Sequence, residues 1–118
     1  MNIEKYLNTE EFKTKEQLMS ETGIKSERVV RQLISNLKKI RPVIYNSQTS
    51  GYRLSKDIKS FNTVEEAKAE LQLIQHSIND MEARKRDFNM SERSYIAYKI
   101  KLEEEIVMLE NQNHYTVD

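Results

Sequence analysis

Residues 23–42 read GIKSERVVRQLISNLKKIRP, and the fold turns on this stretch. Gly23 supplies the positive φ that closes a preceding helix, Ile24 and Lys25 complete a three-residue turn, and Ser26 is placed to cap the helix that follows. In that helix, expected over residues 27–40, Val30, Leu33, Ile34 and Leu37 recur at spacings of three and four and make one apolar stripe. Pro42 ends it, because the residue before a proline is pushed out of the α region. Arg28, Arg31, Gln32 and Ser35 each stand two positions before a core residue, which carries them about 200° round the helix from the stripe. They face outward together. Arginine can donate two bonds to the guanine O6 and N7 edge, glutamine can read adenine, and serine can meet a phosphate or a base edge, so this face suits the major groove of DNA. Lys38 and Lys39 extend it towards the backbone.

Upstream, Ile3, Tyr6 and Leu7 share one helical face, which predicts a first helix over residues 2–11. Thr14 followed by Gln17 has the form of a capping box, so a second helix is expected over residues 15–22. Downstream of Pro42 the pattern changes to that of a hairpin. Val43, Ile44 and Tyr45 favour a strand, residues 46–51 are turn formers, and Tyr52, Arg53 and Leu54 favour a returning strand.

The succession of helix, helix, turn, helix and hairpin resembles the winged helix-turn-helix family. Gly23 and Ile24 occupy the turn, residues 26–40 the recognition helix, and Gly51, Tyr52, Arg53 and Leu54 the closing strand of a wing. The resemblance covers about half the chain, residues 1–57. It implies a recognition helix in the major groove and a wing on an adjacent groove or the phosphates. By position that makes Arg28, Arg31 and Gln32 base readers, with Ser26, Ser35, Lys38 and Lys39 beside them, and Gln48, Thr49, Ser50 and Arg53 wing contacts. The sequence departs from the pattern twice: no Lys or Arg lies between Tyr45 and Tyr52, and Glu27 opens the helix with a negative charge. The arrangement looks like the small winged-helix proteins carried by bacteria and their phages.

Residues 58–62 are expected to form a polar linker to an antiparallel helical hairpin, or coiled coil, over residues 63–112. Thr63 and Glu66 suggest another capping box. Val64, Ala67, Leu71, Ile74, Ile78 and Met81 alternate spacings of three and four, a heptad seam. Arg84, Lys85 and Arg86 fall in the last turn, where cations complement the helix dipole. A bend is expected at residues 87–90, with Ser91 capping a second helix. Tyr95, Leu102, Ile106 and Leu109 form its seam, interrupted at Lys99 and widened by Ile96, Tyr98, Ile100 and Val107. Residues 113–118 are expected to fray. Surplus apolar surface on this hairpin points to a second copy, giving a homodimer through Val64, Leu71, Ile74, Ile78, Met81, Tyr95, Ile96, Leu102, Ile106 and Leu109.

Composition bounds the rest. The chain has 118 residues, 32% charged and 37% hydrophobic, with 2 Gly and 1 Pro, the balance of a mainly α protein with a small core. Its zero net charge divides into +4 over residues 1–57 and −4 over residues 58–118, as expected if only the first half meets phosphates. Absence of cysteine excludes disulfides, thiolate metal sites and cysteine nucleophiles. No run of about 18 apolar residues is present, so no membrane span is expected and a cytoplasmic location is.

Catalysis finds little support. His76 and His114 lack spaced partners for metal or triad chemistry, and Glu103, Glu104 and Glu105 are consecutive on a helix and point apart. With only Gly23 and Gly51 there is no glycine-rich phosphate loop, and no cofactor is expected. The expected function is sequence-specific binding of double-stranded DNA by a dimeric transcriptional regulator. The alternative is an interaction module, such as a phage-encoded inhibitor of a host protein or a replication accessory protein, that grips a partner with the same domain.

Overall fold

Short-range capping sets the register of the first half. The Thr14 hydroxyl accepts from the Gln17 amide at 3.1 Å while the Gln17 side chain accepts from the Thr14 N–H at 2.8 Å, a complete capping box. It starts α1 at Lys15–Thr22, which Gly23 closes at φ 79° in the left-handed region. Ser26 caps α2, Glu27–Lys38. The computed structural model describes residues 1–84 and 89–116. Among these the chain is mainly helical, with four α-helices and a three-stranded antiparallel sheet. The sheet comprises β1 (Lys13–Thr14), β2 (Val43–Asn46) and β3 (Gly51–Leu54), in the order β1-β3-β2. A 3-10 turn at Ile58–Ser60 leads to α3, Val64–Arg84, and α4, Asn89–Thr116.

Several sequence expectations change. Residues 2–11 form only a 3-10 turn, Ile3–Tyr6. The Asn8 carboxamide accepts from the Glu10 and Glu11 amides at 2.8 and 2.6 Å, and this local bonding competes with helix continuation. The chain then extends into β1, which pairs Lys13 with Tyr52 and Thr14 with Gly51. Helix α2 stops before Ile40, where the Ile40 and Arg41 amides both close on the Leu37 carbonyl. Ser91 lies inside α4 rather than capping it, and α4 continues to Thr116 through residues expected to fray. Thr63 does cap α3, accepting from the Glu66 amide at 3.1 Å, but Glu66 reaches back to the Asn62 amide instead. Lys85 and Arg86, with much of the expected bend, lie outside the described residues.

The largest correction concerns the linker. Phe61 is buried with Val64, Ala67, Leu102 and Ile106, and Ile58 packs on that cluster, so the segment is anchored to the long helices while Lys59, Ser60 and Asn62 stay exposed. Nor is the hairpin detached, because the sheet is covered on both faces. On one side Val43 and Leu54 join Ile3, Leu7, Leu18, Val30, Ile34 and Leu37. On the other, Ile44 packs against Ile74, Ile78 and Tyr95 from the two long helices.

Polar groups bind the same junction. Arg53 is 6% exposed and makes two bonds to the Glu70 carboxylate, at 2.6 and 3.0 Å, with a third to the Leu54 carbonyl. Glu70, 3% exposed, also accepts from the Lys56 amide at 3.0 Å, and the Phe12 ring lies 5.2 Å below the guanidinium. The Tyr95 hydroxyl donates to the Val43 carbonyl at 2.7 Å and accepts from the Val43 amide at 3.0 Å. Ser94 donates to the Lys38 carbonyl and Tyr98 to that of Lys56.

Replacing Glu70 with Gln removes the charge that compensates a buried guanidinium. It should cost about 3–5 kcal/mol in urea unfolding, whereas Arg53→Met with Glu70→Leu should cost less than the single change. Burial pushes the Tyr95 hydroxyl from 10.0 up to about 12. The folded state therefore holds that proton more tightly, and stability present below pH 10 should fall as the pH rises from about 10 towards 12. Tyr95→Phe should cost about 1–3 kcal/mol by leaving Val43 groups unpaired, and should flatten that alkaline loss.

Candidate nucleic-acid interface

The exposed side of α2 follows from its buried side. Val30, Ile34 and Leu37 are fixed in the core, and the 100° step per residue then carries Arg28, Gln32, Ser35 and Lys39 into a strip about 60° wide on the opposite side. All four are exposed. Arg28 makes no side-chain hydrogen bond to any described residue, and Gln32 bonds only to Asn36 on the same helix, at 3.1 Å. This strip offers one guanidinium, one carboxamide, one hydroxyl and one ammonium along three turns.

Arg31 sits beside the strip, towards the sheet, and its guanidinium pairs with Glu27. Glu27 is also bonded by Lys15 from α1 at 2.9 Å. The Lys15 hydrogen bond holds the Glu27 carboxyl below its ordinary range, with the Arg31 charge acting in the same direction. The acid at the head of the helix is thus neutralised by two cations from within the fold. Ser26 spends its hydroxyl as the cap, accepting from Val29 at 3.4 Å.

The β2–β3 turn presents Gln48, Thr49 and Ser50 to solvent. The Asn46 side chain accepts from the Gln48 amide at 2.9 Å, and Ser50 takes φ 58°, which closes the turn. Gly51 is required by close approach: a Cβ there would stand 2.7 Å from the Cβ of Phe12. No cation lies at this tip, in keeping with the sequence.

Two residues expected at the interface are elsewhere. Arg53 is buried against Glu70 and cannot be a wing contact in this fold. Its alternation with Tyr52 and Leu54 turns it to the second face of the sheet. Lys38, expected to continue the outward face, is half-buried and lines a cleft beside α3 and α4 with Tyr45, Asp80 and Arg84. A step of 100° beyond Leu37 points it towards the hairpin.

Most of the residues expected to make a dimer are consumed inside the chain. Val64, Ile74, Ile78, Tyr95, Leu102 and Ile106 are buried, while Leu71, Met81 and Leu109 pack partly buried on the same clusters. The buried six leave no surface for a second copy. Ile96 differs. It is 36% exposed, and with Ile100 at 50% and Val107 at 55% it forms an apolar line on the side of α4 turned away from α3.

The sequence gives no sign that Glu70 is the partner that withdraws Arg53 from the hairpin surface. Adjacent apolar residues Val43 and Ile44 do signal a covered second face, since a strand open to water on one side would alternate. Among the described residues, no group of His, Cys, Asp and Glu could hold a metal ion, and no helix is long and apolar enough to cross a membrane. Comparison with known protein families, curated proteins and solved structures finds no match to this chain.

Proposed function

We propose that this chain is a winged helix-turn-helix protein that binds double-stranded DNA in a sequence-dependent manner, as a dimeric transcriptional regulator. The observation that carries the reading is the exposed strip Arg28, Gln32, Ser35 and Lys39 on the helix after the turn, beside a hairpin tip built of hydroxyl and amide side chains. In the major groove, Arg28 and Gln32 have the donors and acceptors to read base edges, and Lys39 has the charge to meet a phosphate. Arg31 joins them by exchanging Glu27 for a base, since Lys15 still compensates the carboxylate.

Selection from a random duplex pool, followed by titration, tests this. Arg28→Ala should weaken the selected site by about 1–3 kcal/mol and relax the preference at one base pair. Lys39→Ala should weaken all duplexes alike and reduce the salt slope by about one. A pool from which no sequence is enriched, or an Arg28→Ala protein that binds as tightly as wild type, would refute the assignment. Capture of a protein partner in place of DNA would favour an interaction module. The uncharged tip and exposed Val29 support that second reading.

The dimer in this proposal uses the free side of α4 rather than the buried seam. An antiparallel pairing that sets Ile96 against the partner's Val107 brings the two apolar lines together and places Glu103 opposite the partner's Ile100. Glu103 lies in the same line and keeps the contact weak and reversible. In sedimentation across a concentration series, the wild type should shift from monomer to dimer, and Ile100→Glu should remain monomeric. A wild type that is monomeric throughout would exclude the dimer while leaving single-site DNA binding to its own test.

A further inference from the structure

The cleft that receives Lys38 opens where α2, the β2–β3 hairpin, and the facing ends of α3 and α4 meet. Its volume is about 480 Å³, within the range of small-molecule sites. One wall is aromatic: the Tyr45 and Tyr52 rings stand 5.0 Å apart at 49°. Lys38, His76, Arg84 and Ser35 also line the cleft. Arg84 is partly compensated by Asp80 at 3.1 Å. Lys38 has no carboxylate within 4.0 Å and no side-chain hydrogen bond among the described residues. Burial pushes its ammonium below the ordinary lysine range, the charge of Arg84 pushes the same way, and Asp80 opposes both in part.

A half-buried cation next to a second cation is an unfavourable arrangement that an anion relieves. It gains a charge-assisted bond to the half-buried Lys38, with the exposed Arg84 beside it. A bare ion would leave the tyrosine wall uncovered, whereas a flat ring would cover it. We propose that this cleft binds a small planar organic anion, with its carboxylate or phosphate between Lys38 and Arg84 and its ring against Tyr45 and Tyr52. Aromatic carboxylates and nucleoside monophosphates share that chemistry. Such an occupant joins α2, the two strands of the hairpin and α3, in a cleft that α4 also lines. The site does not depend on the chain binding DNA.

Titration of the full-length protein with salicylate, AMP and inorganic phosphate, followed through backbone amide resonances without DNA, tests the site and separates the two sources of ligand. Salicylate or AMP should shift the Ser35, Tyr45 and His76 amides saturably, and Lys38→Met and Arg84→Gln should each weaken that binding about tenfold. Inorganic phosphate should bind more weakly than the ring-bearing ligand. Should Lys38→Met disturb the fold, as its amide spectrum would reveal, the exposed Arg84→Gln change decides alone. No saturation by either organic anion up to roughly 10 mM, unchanged affinity in the folded variants, or phosphate binding as tightly as both organic anions would overturn the proposal.

Discussion

The small sheet and the long helices are aligned by one buried ion pair, with the Tyr95, Ser94 and Tyr98 hydrogen bonds beside it. Arg53 reaches from the last strand of the small sheet and Glu70 from the middle of the first long helix. Their two bonds are supplemented by the Leu54 carbonyl, the Lys56 amide and the Phe12 ring. The net energy of such a pair can be small, because two charges have been taken out of water. Its geometric effect is large. A guanidinium and a carboxylate engaged in parallel tolerate little sliding or rotation, so the strand and the helix are locked in register as well as in contact. The apolar contacts of Ile44 with Ile74, Ile78 and Tyr95 then pack around a junction whose alignment is already set.

That junction decides what remains available for function. With the second face of the sheet covered, the hairpin keeps its tip and the Tyr45 side, and α2 keeps chiefly the strip opposite its core stripe. With the helical seam spent on the intramolecular hairpin and on the sheet, α4 keeps one apolar line. The division of charge acquires a spatial meaning. The basic half is not a tethered head but one end of a continuous packed body, and the acidic helices rise from behind it.

Legibility in the sequence followed the range of the interactions. Thr14, Gln17, Gly23 and Ser26 act through hydrogen bonds and dihedral angles within a few residues, and each could be placed from neighbours alone. The outward strip of α2 was legible for the same reason, being set by the helical period once the core stripe is known. Strand β1 was not, since two residues carry no period and exist as a strand only because β3 lies alongside. The family resemblance places Arg53 at the hairpin's exposed side, and the outward face of α2 read from the sequence extends to Lys38. Each is instead turned inward by a partner far along the chain: Glu70 for Arg53, and the ends of the long helices for Lys38. Phe61 is similar, a single aromatic residue in a polar segment that becomes core only when α4 returns over it.

The hydroxyl of Tyr95 has a consequence beyond the stability of one contact. Strand β2 is an edge of the sheet, and the outward N–H and C=O of an edge strand are the template on which a stray chain can add itself. Here both outward groups of Val43 are occupied by a single side chain arriving from α4. The tyrosine terminates the ladder at that position as a paired strand would, yet has no backbone to pass the pattern on. The buried end of the sheet is thereby closed to templated growth, and its protection against aggregation is supplied by a helix more than fifty residues away in the chain.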